Sequence, residues 1–366
     1  MESPAPIEFP PNPWQRRGWI RGTLFFIVCT AAGLVALRGR VHWSEARAFL
    51  AAAPGWLLGV GLAQAVLDQI LGGARMWVCA RGLGERVPLR ACVAANCANV
   101  FLGGVTPSQS GGGPAQIWLL WRGGLSLAAA TVTSACTFLG TIATFLVLAV
   151  HVAFGPASAF QAGGMRLFTS GTVTLFAVCL VASLAALLRP GLVHGPLRAL
   201  VMRVPRWGRG WAAGERFRGL QLLVNDSAQL LGRGMHRGKR WLFLGLVLSF
   251  AVYANKFSIA WTVLRGIGIS LPLPVVLRSQ ELQYLVTYFA PTPGASGFAE
   301  YSAARLLENL VPETALGAYL IAWRALTLYV GMLAGAMVLV RAASVAARAQ
   351  LERRSGAPAT GAARCG

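Results

Sequence analysis

Long apolar runs alternate with short polar, mostly basic stretches along this chain. Six of the runs approach or exceed the roughly 20 residues a helix needs to cross a bilayer core. They lie at about 22–38, 54–79, 127–153, 167–188, 241–263 and 315–340. Two further apolar stretches, 88–124 and 272–310, are interrupted in the middle by Pro, Gly and Ser. Each reads as a half-length helix, a loop and a second short helix. The half-helix after the first loop, Ala115 to Trp121, meets Arg122 before it is long enough to cross. Both stretches are therefore expected to be re-entrant hairpins.

Composition narrows the class. Of 366 residues, 55% are hydrophobic and 12% charged, with a mean hydropathy of +0.58. A soluble domain carries about 25% charged residues, so a water-soluble enzyme and a disordered chain are both excluded. Seven scattered cysteines without a C-x-x-C pair exclude a disulfide scaffold. Cys92 and Cys97 have no neighbouring histidine, and no metal site or cofactor is expected. G-x-S-x-G, H-E-x-x-H and P-loop patterns are missing as well, so no catalytic residues are assigned.

Charge sets an expected orientation. The chain holds 33 Lys and Arg against 12 Asp and Glu, a formal +21. Between apolar runs this excess reads as the positive-inside rule and attraction to anionic lipid, not as a nucleic-acid footprint. With the N-terminus inside, segments 1–21, 80–126, 189–240 and 341–366 hold 23 of the 33 basic residues. The 189–240 segment alone has eleven, and is expected to be a cytoplasmic loop whose amphipathic helices lie on anionic headgroups. The first run follows Arg16, Arg17 and Arg21 but ends in Val35-Ala36-Leu37-Arg38, a poor cleavage site, so a retained anchor is expected. The tails at 1–20 and 346–366 read as disordered, and both termini as cytoplasmic in a cell-membrane protein.

An internal repeat is the most specific signal. Trp77-x-x-x-Arg81-Gly82-Leu83-Gly84-x-x-Val87-Pro88-Leu89 returns as Trp261-x-x-x-Arg265-Gly266-Ile267-Gly268-x-x-Leu271-Pro272-Leu273. Thr106-Pro107-x-x-Ser110-Gly111 follows the first block and Thr292-Pro293-x-x-Ser296-Gly297 the second. The span count gives the two halves opposite orientations. Expected, then, is an all-α integral membrane protein with about six full spans plus two re-entrant helical hairpins in an inverted repeat. Its repeats are 21–188 and 241–345. Paired Gly/Pro-broken segments in such a repeat point to a substrate site near the midplane.

The loop residues suit anion binding. Pro107 and Pro293 end a helix. Gly111, Gly112, Gly113, Gly294 and Gly297 open backbone angles closed to other residues. Thr106, Ser108, Ser110, Thr292 and Ser296 can cap half-helix ends, whose free N–H groups attract phosphate.

Phe101 to Ser126, FLGGVTPSQSGGGPAQIWLLWRGGLS, and Tyr288 to Glu300, YFAPTPGASGFAE, resemble two signatures of the lysylphosphatidylglycerol synthase membrane-region family, also called the flippase-like domain. The likeness runs from about 20 to 345. In its best-understood members, the multiple peptide resistance factors, such a domain moves aminoacylated phosphatidylglycerol between leaflets and a separate soluble domain makes that lipid. With this chain ending at Gly366, the expectation is the membrane domain alone. The resemblance carries over to Arg75, the Thr106–Pro114 loop, the Pro291–Glu300 loop and Arg324.

Ionisable side chains inside spans usually pair or line a pathway. Asp68 and Arg75 lie seven residues apart on one helix face. Either Arg75 snorkels while Asp68 bonds locally, or Arg75 meets a lipid phosphate while Asp68 orients it or binds a coupling proton. Arg324 either lines the site or pairs with Glu300 or Glu281. Lys256 either contacts substrate or snorkels. Glu300 either caps its half-helix or meets a cationic headgroup. Asn99 adds a polar face, and His151 is read as an ordinary interfacial histidine.

The resulting expectation is a non-enzymatic translocase that moves an anionic phospholipid or lipid-linked headgroup, with a glycosyltransferase or lipid synthase as a possible partner. An integral transferase acting on a lipid-linked substrate would need carboxylate pairs near the loops. An accessory protein of a lipid or glycan synthesis complex would act through 189–240 and tolerate hairpin mutations.

Overall fold

The computed structural model describes residue 48 and residues 51–154, 165–188, 215–288 and 290–354. The expected anchor at 22–38 lies outside the described residues, as do 189–214 and the N-terminal tail. Among the described residues the chain is helical, without strands.

Helix α1 (Gly55–Gly82) leads through a tight turn into the first hairpin, α2 (Leu89–Val105) and α3 (Gly112–Arg122). Then come α4 (Leu127–Phe154), α5 (Met165–Leu188) and α6 (Glu215–Arg237). Helix α7 (Lys239–Gly266) leads into the second hairpin, α8 (Leu273–Thr287) and α9 (Phe298–Leu307). Helix α10 (Glu313–Arg324) continues through a π-helical turn at Ala325–Tyr329 into α11 (Val330–Arg354). Helix α11 runs past residue 346, where the tail was expected to begin, to Arg354, and the residues after it lie outside the described ones.

Among the described residues, four helical segments are long and apolar enough to cross a membrane: Gly55–Gly82, Leu127–Phe154, Lys239–Gly266 and Glu313–Val345. Large apolar side chains stay exposed along their outer faces, such as Leu58, Leu62 and Val66 on α1 and Leu333, Met337 and Val340 on α11. A soluble monomer rarely carries such stripes. Lipid covers them at no cost, because acyl chains are as apolar as leucine.

The sequence repeat is also a conformational repeat. After α1 the chain turns at Gly84 (φ 82°), whose N–H donates to the Arg81 carbonyl while Glu85 N–H reaches Ala80. After α7 the same pair of bonds forms, from Gly268 (φ 85°) to Arg265 and from Ile269 to Leu264. This is the left-handed helix ending that glycine supports without a Cβ penalty. In both blocks the arginine folds back over the tryptophan four residues earlier, Arg81 at 4.9 Å from the Trp77 ring and Arg265 at 5.0 Å from Trp261.

Helices α1 and α7 lie side by side and antiparallel. Leu57 meets Gly266, Gln64 meets Asn255 and Ser258, and Gly82 meets Trp241. The two repeated blocks are therefore at opposite ends of this pair. Helix α2 packs between α1 and α11, so closely that a Cβ on Gly335 would lie 2.1 Å from the Cys97 carbonyl. Each hairpin has its own apolar cluster: Met76, Ala95, Leu102 and Leu120 around the first, and Ile259, Val276, Ala303 and Tyr319 around the second. Helix α6 packs on the bundle through Leu231, against Val132 and Leu83.

Candidate functional site

The two hairpins touch tip to tip. Their turns share one construction. Thr106 and Thr292 are extended, Pro107 and Pro293 open a 3-10 turn, and the next two residues are left-handed in both. These are Ser108 (φ 49°) and Gln109 (φ 57°) in the first, Gly294 (φ 57°) and Ala295 (φ 55°) in the second. The backbone bonds match too: Gln109 N–H to Thr106 and Ser110 N–H to Pro107, then Ala295 N–H to Thr292 and Ser296 N–H to Pro293.

Beyond the tips the hairpins diverge. In the first, Thr106 Oγ1 accepts from Gly111 N–H at 2.8 Å and donates to the Leu102 carbonyl. Gly112 and Gly113, expected in the loop, belong to the first turn of α3. In the second, Thr292 Oγ1 is buried without a hydrogen-bond partner among the described residues. The closing group is instead Glu300, whose Oε2 accepts from Gly297 N–H at 2.7 Å.

A cavity of about 210 Å³ opens beside the tips, between α1, α2, α7, α8 and the π-helical turn. Of the residues singled out by sequence, Asp68, Arg75, Asn99, Lys256, Gly294 and Arg324 line it. Thr106, Ser108, Ser110, Gly111 and Gly112 build the first tip, and Thr292, Ser296, Gly297 and Glu300 the second, without lining the cavity. Glu281 is elsewhere: its Oε2 lies 2.8 Å from Nδ1 of His151 at the end of α4.

The charges form two ion pairs and one remainder. Lys256 Nζ donates to Asp68 Oδ2 at 2.7 Å, tying α7 to α1. Gln69 Nε2 donates to the same oxygen at 3.3 Å, and Asn96 Nδ2 donates to Gln69 Oε1 at 2.9 Å, which brings in α2. Arg324 Nε donates to Glu300 Oε1 at 2.6 Å, with 8% and 2% of these side chains exposed. Arg324 Nη2 also donates to the Gly294 carbonyl at 3.0 Å, so one guanidinium holds both the turn and the cap of the second hairpin. Arg75 Nη1 donates to Thr141 Oγ1 at 2.9 Å in α4. It has no carboxylate within ion-pair distance among the described residues. Three atoms of residues lining the cavity are buried and unpartnered among the described residues: Asp68 Oδ1, Arg75 Nε and Trp323 Nε1.

Sequence reasoning missed the aromatic wall of Phe145, Tyr253, Tyr284 and Tyr288. Phe145 lies 4.9 Å from Tyr253 and 4.5 Å from Tyr288, ring to ring, and Tyr253 lies 5.9 Å from Tyr284. Aromatic residues in apolar helices look like ordinary core, and only the Tyr253-x-x-Lys256 spacing placed a ring on the cationic face. Thr141 carried no signal at all.

A helical bundle with several bilayer-length helices, around a partly open cavity lined by Arg75, Lys256 and Arg324, defines a polytopic integral membrane protein with a polar site between its helices. Residues 19–335 match the family described as the lysylphosphatidylglycerol synthase TM region, and the chain belongs to that family. It is also similar to a protein described as a "UPF0104 membrane protein" from Archaeoglobus fulgidus, 29% identical over 91 residues. That match covers 25% of this chain and 28% of the relative.

Proposed function

We propose that this protein is a lipid translocase, moving an anionic phospholipid or lipid-linked headgroup between leaflets without chemical change. On this reading the headgroup sits in the cavity at the hairpin tips, and the acyl chains stay in the bilayer. The two hairpins are re-entrant and enter from opposite faces of an inverted repeat, with both termini on the cytoplasmic side of the cell membrane. The basic 189–240 segment holds anionic headgroups, and a lipid synthase or glycosyltransferase supplies the cargo.

One observation carries the reading. Once Lys256 is paired with Asp68 and Arg324 with Glu300, the cavity keeps one net positive charge, on Arg75. A half-buried, uncompensated guanidinium in an apolar bundle is costly, and an anionic headgroup is the ligand that relieves it through charge-assisted hydrogen bonds. The antiparallel α1–α7 pair supports alternating access, since it puts one repeated block at each end of the bundle.

The test is movement of fluorescent anionic phospholipid in vesicles reconstituted with the purified protein. Arg75→Ala is expected to slow transfer by about tenfold or more, the worth of a charge-assisted hydrogen bond. Equal rates for Arg75→Ala and wild type would overturn the assignment.

A further inference from the structure

Arg75 reaches from α1 across to α4, and the way it is held decides which of its donors face the cavity. Its Nη1 donates to Thr141 Oγ1 at 2.9 Å. Thr141 is 7% exposed, so water does not compete freely for that oxygen. The threonine proton goes to the Thr137 carbonyl at 3.1 Å, one turn back along α4. With its proton used there, Oγ1 is left as an acceptor, and Tyr253 of α7 also hydrogen-bonds to Thr141. The mount is braced in turn. Thr137 Oγ1 accepts from Gln116 Nε2 at 3.2 Å, and Gln116 Oε1 accepts from Asn99 Nδ2 at 2.7 Å, which ties α4 to both arms of the first hairpin.

A guanidinium offers donors along its edges. Nη1 and Nη2 share one edge, and Nε and Nη2 another; the two N–H groups of an edge run parallel and match two oxygens of one anion. Thr141 takes Nη1. That leaves the Nε–Nη2 edge, whose Nε is buried and unpartnered among the described residues, on a side chain that lines the cavity. A long side chain already fixed at one corner loses less freedom when an anion docks on it.

We propose that Thr141 is a positioning residue for the anion site, resting on the translocase reading above: it holds Nη1 so that the Nε–Nη2 edge of Arg75 faces the cavity as a pair of parallel donors. Thr141 acts through Arg75 and does not itself touch the anion. A lysine at 75 could not be aimed in this way, because an ammonium is a point charge without an edge.

The test uses phosphatidylcholine vesicles that hold the purified protein and a rising fraction of fluorescent phosphatidylglycerol. Thr141→Val keeps the shape of the side chain and removes the acceptor. It is expected to raise the half-saturating lipid fraction by about tenfold, the worth of one hydrogen bond to a charged group. The rate at saturation should stay unchanged, as for a loss of binding alone. Thr141→Ser restores the hydroxyl and is expected to restore the half-saturating fraction. Arg75→Lys keeps the charge without the edge and should shift that fraction as Thr141→Val does. In an Arg75→Ala background, Thr141→Val is expected to change nothing further, since residues acting through one another are not additive. A wild-type half-saturating fraction in Thr141→Val would overturn the inference. So would a Thr141→Val loss that is as large without Arg75 as with it, which would make Thr141 an ordinary helix contact, and so would wild-type behaviour of Arg75→Lys. All three outcomes leave the translocase reading intact. Equal rates for Arg75→Ala and wild type would remove both.

Discussion

The two hairpin tips begin alike and are secured differently. Each has a Thr-Pro step, two left-handed residues and the same pair of turn bonds. In the first, a single hydroxyl, Thr106, does the closing, and Pro107 to Ser110 are exposed. In the second, Pro293, Ala295 and Ser296 are buried, and a buried Arg324–Glu300 pair clamps both the turn carbonyl and the cap. The same backbone motif thus serves as a lightly held tip on one side and a cross-linked one on the other. The difference teaches that duplication preserved the turn while the environment chose its fastening. The second tip is bonded to Arg324, the last residue of α10, whereas the hydrogen bonds of Thr106 in the first run only within its own hairpin.

The comparison breaks most directly at Glu300. Glu300→Ala strands Arg324 as a buried charge and frees the Gly297 N–H. It is expected to cost about 3–5 kcal/mol, read as a fall in unfolding midpoint in detergent. Adding Arg324→Met should recover much of that loss, because the stranded charge is gone. If Glu300→Ala costs no more than the Thr106 variant below, the asymmetry of the tips is wrong.

Gly294→Ala tests the left-handed turn itself and should cost about 1–2 kcal/mol, since φ there is 57°. Thr106→Val removes the hydroxyl cap of the first tip. A loss of about 1 kcal/mol is expected, with Thr106→Ser close to wild type in the same unfolding measurement. Ser108→Gly should have the smallest effect and the opposite sign. It relieves a left-handed serine (φ 49°) and gains less than about 1 kcal/mol after the added chain entropy of glycine. A destabilised Ser108→Gly would mean that the serine side chain has a partner in the assembled tip.

Much of this was legible in the chain because it is local. Five of the six apolar runs coincide with helices, and the sixth lies outside the described residues. Both broken stretches are helix–turn–helix hairpins, as their Pro and Gly demanded. The capping of α9 by Glu300 was one of two readings open at that position, and it is the one the geometry makes. What resisted reading was long-range. Asp68 and Arg75 share a helix face, yet they do not bond to each other. Asp68 turns to Lys256, 188 residues away, and Arg75 to Thr141. Glu281, four residues from Leu285 in the same hairpin as Glu300, faces His151 instead of the cavity.

Sequence by itself determined where the helices run and where both hairpins break, because apolar periodicity, proline and glycine act within a few residues. Only the tertiary structure decided which charges neutralise each other and which are left over. That depends on the register between antiparallel α1 and α7 and on how α10 meets the second tip. No local pattern encodes such a register: one turn of sliding along α7 would exchange the partner of Asp68 and leave every helix unchanged.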